Sequence, residues 1–294
     1  MGELVLAAKI THVPSIWLSM QTEKYRGIRA SAEAGLREIG RRARERGADV
    51  FVICDTHWLN SMGFHVNGRA HFDGSYASHE LPHFIHDLAY SYPGDPEFAQ
   101  LFVDEINAGG QRAMFHDYKD LGLEYATLVP MSLIQEDGVV AIEDRLPIVP
   151  IGANMFSTPD ENRRIGEALR RAIAKSDRKV AFLASGSLSH QFPPNEISYD
   201  YLDRISEPLN TEMDLDVLEM WSSGHVQKFL TILPEFNRRF SGEGAMADTS
   251  MLFGLLGWDE YTGRGEQLSE YFPSSGTGQV VVDFTMEGVP ALHS

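Results

Sequence analysis

The chain has 294 residues, 43% hydrophobic and 23% charged, ordinary proportions for a folded soluble protein with room for a core of normal size. Its net charge of −17, from 25 basic and 42 acidic residues, argues against nucleic acid or an anionic membrane surface as a partner, since either would require a basic face. An anionic substrate would need a local basic pocket against this background.

Residues 3–10 (ELVLAAKI) read as a buried strand that runs directly into Thr11-His12-Val13-Pro14. From Thr22 to Arg46 the apolar residues Tyr25, Ile28, Ala32, Leu36, Ile39 and Ala43 recur at helical spacing, with Thr22 as the expected cap and Gly47 as the stop. Residues 48–54 (ADVFVIC) form the next expected strand and lead into Asp55-Thr56-His57-Trp58. Strand, helix, strand is a βαβ unit, whose strands are parallel and joined by a right-handed crossover. His12 and His57 then share one edge of the sheet, the edge where open α/β sheets bind ligands.

Cys54, the single cysteine, rules out an intrachain disulfide and a cysteine metal cluster. Its apolar neighbours Val50-Phe51-Val52-Ile53 make it an expected buried thiol. The opening Met-Gly-Glu-Leu lacks the basic stretch of a secretory signal, and no run approaches the roughly 18 apolar residues of a membrane span. A cytoplasmic location is expected.

Residues 60–80 mix alternating apolar residues with Gly, Asn and Asp, as in a hairpin or an irregular excursion. A second strand–helix–strand pattern follows, with strands at 146–151 (LPIVPI) and 179–184 (KVAFLA). Between them a helix near 160–175 places Ile165, Leu169, Ala172 and Ile173 on one face. The later strand leads through Ser185-Gly186-Ser187-Leu188-Ser189 to His190, a third histidine beyond a strand end. A mainly helical stretch from Ser206 to Arg239 is broken by Ser241-Gly242-Glu243-Gly244, and helix resumes over Ala247–Leu256. A last strand is expected at 279–284 (QVVVDF). With no repeat or long linker, one α/β domain over residues 1–294 is the simplest organisation.

Two histidines and one carboxylate on one side of a metal leave positions open for substrate and O₂, the arrangement that suits ferrous iron in oxygenases. His12, His57, His190 and an acid of the late glycine-flanked segment offer such a set, with one histidine left over to move protons. Each also has a plainer reading: a histidine can serve packing, His190 can close a Ser-rich turn, and the segment around Glu243 can be a simple turn. A serine-hydrolase elbow is not expected, because G-x-S-x-G fails at His190. His79, His83 and His86 lie close together, but Leu81-Pro82 disfavours a helix and no partner set is evident, so no second metal is expected. His65, His71, His116 and His225 read as surface or loop residues. Trp58, Phe72, Tyr76 and Tyr125 are candidates for core packing or for lining a ring-shaped pocket.

Motifs spread along almost the whole chain carry a resemblance. They include LAAKITHVPS around His12, DTHW around His57, ELPHFI at 80–85, LEYATLVPM at 123–131, ASGSLSH ending at His190, GEGAMADTSML at 242–252 and PSSGTGQV at 273–280. The sequence resembles the class III extradiol ring-cleavage dioxygenases, the superfamily of the protocatechuate 4,5-dioxygenase catalytic subunit. Within it, the group acting on 3,4-dihydroxyphenylacetate is most similar. The resemblance implies an α/β fold with a largely parallel or mixed central sheet flanked by helices on both faces. It implies an Fe(II) cofactor with ligands His12, His57 and Glu243, and His190 as the acid–base residue. It also implies a catechol and O₂ as substrates and a homo-oligomeric assembly.

Asp248 lies in the same motif as Glu243 and is the alternative carboxylate. Three positions depart from the family pattern: Ser132 and Gln191 stand where basic residues are expected, and Ala247 where a histidine is expected. If positions 132 or 191 meet the acetate group, a different ring substituent follows. The alternatives are another catechol or 2-aminophenol as substrate, a metal-dependent hydrolase on the same scaffold, and a non-catalytic partner subunit.

Overall fold

The structure is a computed structural model that describes residues 1–136 and 138–291. The chain opens with β1 (Glu3–Ile10), α1 (Pro14–Gln21), α2 (Ala30–Glu45) and β2 (Val50–Asn60). Next come β3 (Phe64–Asn67), β4 (His71–Tyr76), β5 (Leu88–Pro93), α3 (Pro96–Ala108), β6 (Ala113–His116) and α4 (Tyr125–Ile134). The second strand–helix–strand unit is β7 (Ile148–Asn154), α5 (Pro159–Lys175) and β8 (Lys179–Ser185). Three helices follow, α6 (Pro208–Ser222), α7 (Val226–Phe240) and α8 (Ala247–Leu256). The chain finishes with β9 (Gly265–Gln267), β10 (Phe272–Ser274), β11 (Thr277–Gln279) and β12 (Val282–Phe284).

The main sheet is mixed, in the order β6-β3-β7-β2-β8-β1-β12-β9, with a parallel centre of β7, β2, β8 and β1. β1 and β2 are parallel as expected but not adjacent, because β8 lies between them. Side chains of these strands alternate between two apolar layers. Val50, Val52 and Cys54 join the layer formed with α3, α5, α6, α7 and α8, while Phe51 and Ile53 join the layer formed with α1, α2 and α4. Helices therefore cover both faces. Cys54 is fully buried, and burial pushes its thiol pKa well up.

Register explains the placement of the site. Ile10 pairs with Ser185, and Ser185 pairs with Asp55, so these residues stand abreast on three neighbouring strands. His12 lies two residues past this line, as does His57, and His190 lies on the chain leaving β8. The three strands point the same way, so the three histidines emerge at one edge.

Several boundaries differ from the sequence reading. The helix expected from Thr22 begins only at Ala30: Pro14 starts a separate helix, α1, that ends at Gln21, and Gly27 at φ +79° turns the chain before α2. Thr22 closes α1, and Tyr25 and Ile28 lie outside the apolar stripe, Ile28 being exposed. The helical stretch after Ser206 is likewise divided, at Gly224. The last expected strand is split between β11 and β12. α3, capped by Asp95 accepting from the Phe98 amide at 3.0 Å, and α4 were not apparent from the pattern.

Candidate metal centre

Glu243 Oε1 lies 3.1 Å from His12 Nε2 and 3.2 Å from His57 Nε2. Among the described residues this is the one cluster of three or more His, Cys, Asp or Glu side chains with metal-ligating geometry, its donor atoms all within 4.8 Å of one another. Donors held about 2.1 Å from one ion at near right angles stand about 3 Å apart, so both imidazoles have the spacing a shared ion requires. The donor set, two imidazoles and one carboxylate, fits a divalent transition metal.

Each donor is fixed from behind. Ser185 Oγ donates to the Ala126 carbonyl at 2.6 Å and stands 3.0 Å from His12 Nδ1, so it accepts the Nδ1 proton. That tautomer leaves Nε2 as the lone-pair atom facing Glu243. His57 lies on the continuation of β2 beyond its parallel pairing. There Asp55 Oδ1 accepts from the His57 and Trp58 amides, both at 2.9 Å, while Asp55 Oδ2 accepts from Thr127 Oγ1 at 2.7 Å. Glu243 Oε1 accepts from Thr56 Oγ1 at 2.8 Å, and its Oε2 from the Ser187 amide at 2.6 Å. Burial opposes ionisation of Glu243, but the neighbouring imidazoles of His12, His190 and His57 hold its carboxyl well below the usual range.

Glu243 reaches this position through unusual backbone. Gly244, Ala245 and Met246 follow it at φ +55°, +58° and +56°, three left-handed residues in succession. Such conformations cost a non-glycine residue roughly 1–2 kcal/mol each, so this turn is held by its surroundings. Asp248, the alternative acid, lies at the start of α8 and points elsewhere. It is fully buried against Lys9, which is also fully buried. Ala247 is buried at the start of the same helix.

The cavity over this cluster is lined by His12, His57, Glu243 and His190, with Tyr125, Phe192, Glu80, Ser187 and the Ser274–Thr277 turn at its walls. His190 Nε2 is 3.9 Å from Glu243 Oε2, in the cavity but outside the donor cluster. Burial lowers its pKa, although Glu243 pulls the other way. Tyr125 Oη lies 2.7 Å from His57 Nε2 and donates to Glu80 Oε2 at 3.1 Å. Burial, with Glu80 and Glu243 nearby, pushes the Tyr125 hydroxyl pKa up. Of the aromatic candidates, Tyr125 lines the cavity, Phe72 is core, Tyr76 donates to Glu124 at 2.8 Å, and Trp58 packs near His65 and His116. Ser132 and Gln191 do not line the cavity; Ser132 Oγ donates to the Val129 carbonyl at 2.7 Å, and Gln191 is exposed.

A family model described as the catalytic LigB subunit of aromatic ring-opening dioxygenase matches residues 6–285. The chain belongs to this family. As a ring-opening dioxygenase it is an oxidoreductase, and the expectations of a hydrolase or a non-catalytic subunit give way. The chain is 43% identical to a 3,4-dihydroxyphenylacetate 2,3-dioxygenase of Escherichia coli, over 92% of this chain and 96% of that protein. It is 24% identical to the beta subunit of a 2-aminophenol 1,6-dioxygenase of a Pseudomonas species, over 81% of this chain and 78% of that subunit. A solved structure of an uncharacterised Escherichia coli K12 protein shares the fold, with TM-score 0.58 and 12% identity, covering 86% of this chain and 91% of that one. Family and donor set together imply a metal cofactor for this dioxygenase. Among its described residues, no helix is long and apolar enough to cross a membrane.

Proposed function

We propose that this dioxygenase opens the ring of 3,4-dihydroxyphenylacetate beside its two hydroxyls, giving 5-carboxymethyl-2-hydroxymuconate semialdehyde with both atoms of O₂ incorporated. The observation that carries this reading is the 43% identity to the Escherichia coli enzyme over nearly the full length of both chains. His12, His57 and Glu243 are the proposed ligands of iron(II), and His190 the proposed acid–base residue. Iron(II) bound there would supply the electronic link between ring and O₂, whose spin state blocks direct reaction with an organic molecule.

The chain's own residues do the rest. A single carboxylate among the three ligands leaves a cationic site, which favours a catechol in its deprotonated form. His190 faces the cavity with a lowered pKa and is therefore neutral near pH 7, able to accept a hydroxyl proton and return it as the ring opens. The exposed Phe192, edge-on to His190 with centroids 4.7 Å apart, stands at the cavity mouth beside it. Tyr125 and the cavity's apolar rim at Val13, Pro14 and Leu81 offer a flat wall to an aromatic ring. We further propose one catalytic domain over residues 1–294, a homo-oligomeric assembly and a cytoplasmic location.

The test is O₂ uptake after anaerobic iron loading, with 3,4-dihydroxyphenylacetate, protocatechuate, catechol and 2-aminophenol compared. The reading expects the highest kcat/KM with 3,4-dihydroxyphenylacetate and a yellow product. A preference of tenfold or more for another member of the panel overturns the substrate assignment, and activity with zinc in the absence of O₂ overturns the chemistry.

A further inference from the structure

The cavity presents the acidic Glu80 and Glu243 and, among the described residues, no lysine or arginine. A carboxylate on the substrate's side chain would meet no cation there. Yet one lies a single hydroxyl relay behind the wall. Arg29 is 6% exposed, and its Nε donates to Ser15 Oγ at 2.9 Å. Ser15 Oγ lies 3.0 Å from Oγ of Ser274, a cavity-lining residue. Ser15 and Ser274 are both buried.

A guanidinium only donates, so Ser15 Oγ accepts from Arg29 and keeps its own proton free to donate. The contact between Ser15 and Ser274 can run in either direction; with Ser15 as donor, Ser274 Oγ accepts and its proton is left to donate into the cavity. The cation's polarity is passed along two hydroxyls, each strengthening the next as a donor. The rest of the guanidinium is held in place: Nη2 donates to the Leu202 carbonyl at 2.7 Å, and the guanidinium carbon lies 4.9 Å from the centre of the Phe272 ring. Burial, partly offset by Asp203, lowers its pKa to about 10, which leaves it charged at neutral pH.

The end of the relay is also fixed. β10 and β11 are joined by Ser275 at φ +52° and Gly276 at φ +93°, a two-residue turn with both central residues left-handed, the tight hairpin form. Thr277 Oγ1 donates to the Ser274 carbonyl at 2.6 Å, and Thr277 forms a backbone bridge with His190. Ser274 is thus tied through the hairpin to the proposed acid–base residue.

We propose that Arg29 is a positioning residue for substrate charge, acting through Ser15 to make the Ser274 hydroxyl the donor that holds a carboxylate on the ring's side chain. This rests on the reading of 3,4-dihydroxyphenylacetate as substrate, and it explains how an acidic protein with no cation in its cavity wall receives an anionic ring. A relayed donor also holds the carboxylate without burying an ion pair against it, which avoids the larger desolvation penalty.

The experiment measures dissociation constants of the iron-loaded enzyme for 3,4-dihydroxyphenylacetate and the uncharged 4-methylcatechol, by calorimetry without O₂. The proteins compared are wild type, Arg29→Gln, Arg29→Lys, Ser15→Ala and Ser274→Ala. The wild type is expected to prefer the charged ligand. Arg29→Gln, Ser15→Ala and Ser274→Ala are each expected to reduce that preference about tenfold, the effect of one charge-assisted hydrogen bond. Arg29→Lys restores part of it, and Arg29→Gln combined with Ser274→Ala falls no further than the worse single variant. Equal weakening of both ligands, or an unchanged ratio in Ser274→Ala, overturns the proposal; the first shows a structural role and the second an idle hydroxyl. Should Arg29→Gln fail to fold, Ser15→Ala and Ser274→Ala decide alone. A wild type that favours 4-methylcatechol overturns the proposal as well. The substrate reading fails separately, through the turnover panel, whatever these ratios show.

Discussion

Ser185 and His12 are joined by a hydrogen bond whose direction is set from outside the pair. Ser185 gives its proton to the Ala126 carbonyl and therefore accepts from His12 Nδ1, which leaves Nε2 bare toward Glu243. Ser185 also stands on the line where β1, β8 and β2 come abreast, so the residue that marks the register of the sheet orients the proposed ligand. Ser185→Ala removes the acceptor but no ligand. It is expected to weaken metal binding about 10- to 100-fold, the usual cost of losing a partner that orients a ligand, with the fold intact. Competitive titration against a fluorescent chelator measures this; an unchanged affinity would show that packing alone holds the ring.

Ligand and acid–base roles separate in a second set of variants. His12→Ala, His57→Ala and Glu243→Gln are each expected to leave the protein unable to retain stoichiometric iron after gel filtration. His190→Ala is expected to keep its iron and lose about 10²- to 10⁴-fold in kcat, the range for removing a positioned acid–base group. Metal analysis beside turnover decides it. An iron-free His190→Ala protein would reverse the division of roles.

The parts of this site that were legible in the sequence are those that follow regular strands. Buried runs ending at His12, at His57 and before His190 are signals of β-structure, and parallel pairing brings such ends together. Glu243 was legible only through the family resemblance, because Ser241-Gly242-Glu243-Gly244 reads as a turn on its own. The left-handed run after it includes Ala245 and Met246, residue types that give no hint of that conformation. Tyr125 reads in the sequence as a candidate for packing or pocket lining, but the helix it opens is almost wholly buried and contains Pro130, so no amphipathic period marks that helix. Nothing in the stretch expected as helix from Thr22 to Arg46 singles out Arg29; only the fold carries it behind Ser274, far away in the chain.

Asp214 gives a pH dependence that does not involve the proposed ligands. Its carboxylate is fully buried and accepts from the Ser189 amide at 3.0 Å, Ser189 Oγ at 2.7 Å and Tyr271 Oη at 2.8 Å. Burial outweighs these bonds and raises its pKa to about 6. The unfolded carboxyl titrates near 3.9, so between about pH 4 and 6 the folded state binds the extra proton. Stability from this group is therefore fully present below about pH 4 and is lost as pH rises through about 6, a change on the order of 3 kcal/mol. Urea unfolding at pH 5 and pH 8 should show about half of this fall, roughly 1.4 kcal/mol, in the wild type and its absence in Asp214→Asn. Parallel pH profiles in the two proteins would exclude Asp214 as the source.

Lys9 and Asp248 supply the last prediction, and with it a check on which late carboxylate serves the metal. Both side chains are fully buried and paired with each other between β1 and α8. Lys9→Met leaves an uncompensated carboxylate in the interior, at an expected cost of about 3–5 kcal/mol. Converting both, Lys9→Met with Asp248→Leu, removes the two charges together and is expected to recover most of that loss, because desolvation of an ion pair offsets much of its attraction. Denaturant unfolding of the wild type, the single variant and the double variant tests this, and a double variant less stable than Lys9→Met would refute it. The folded double variant is also expected to retain iron, because Asp248 lies outside the cluster formed by His12, His57 and Glu243. Loss of iron there, with Glu243→Gln still loaded, would transfer the ligand role to Asp248.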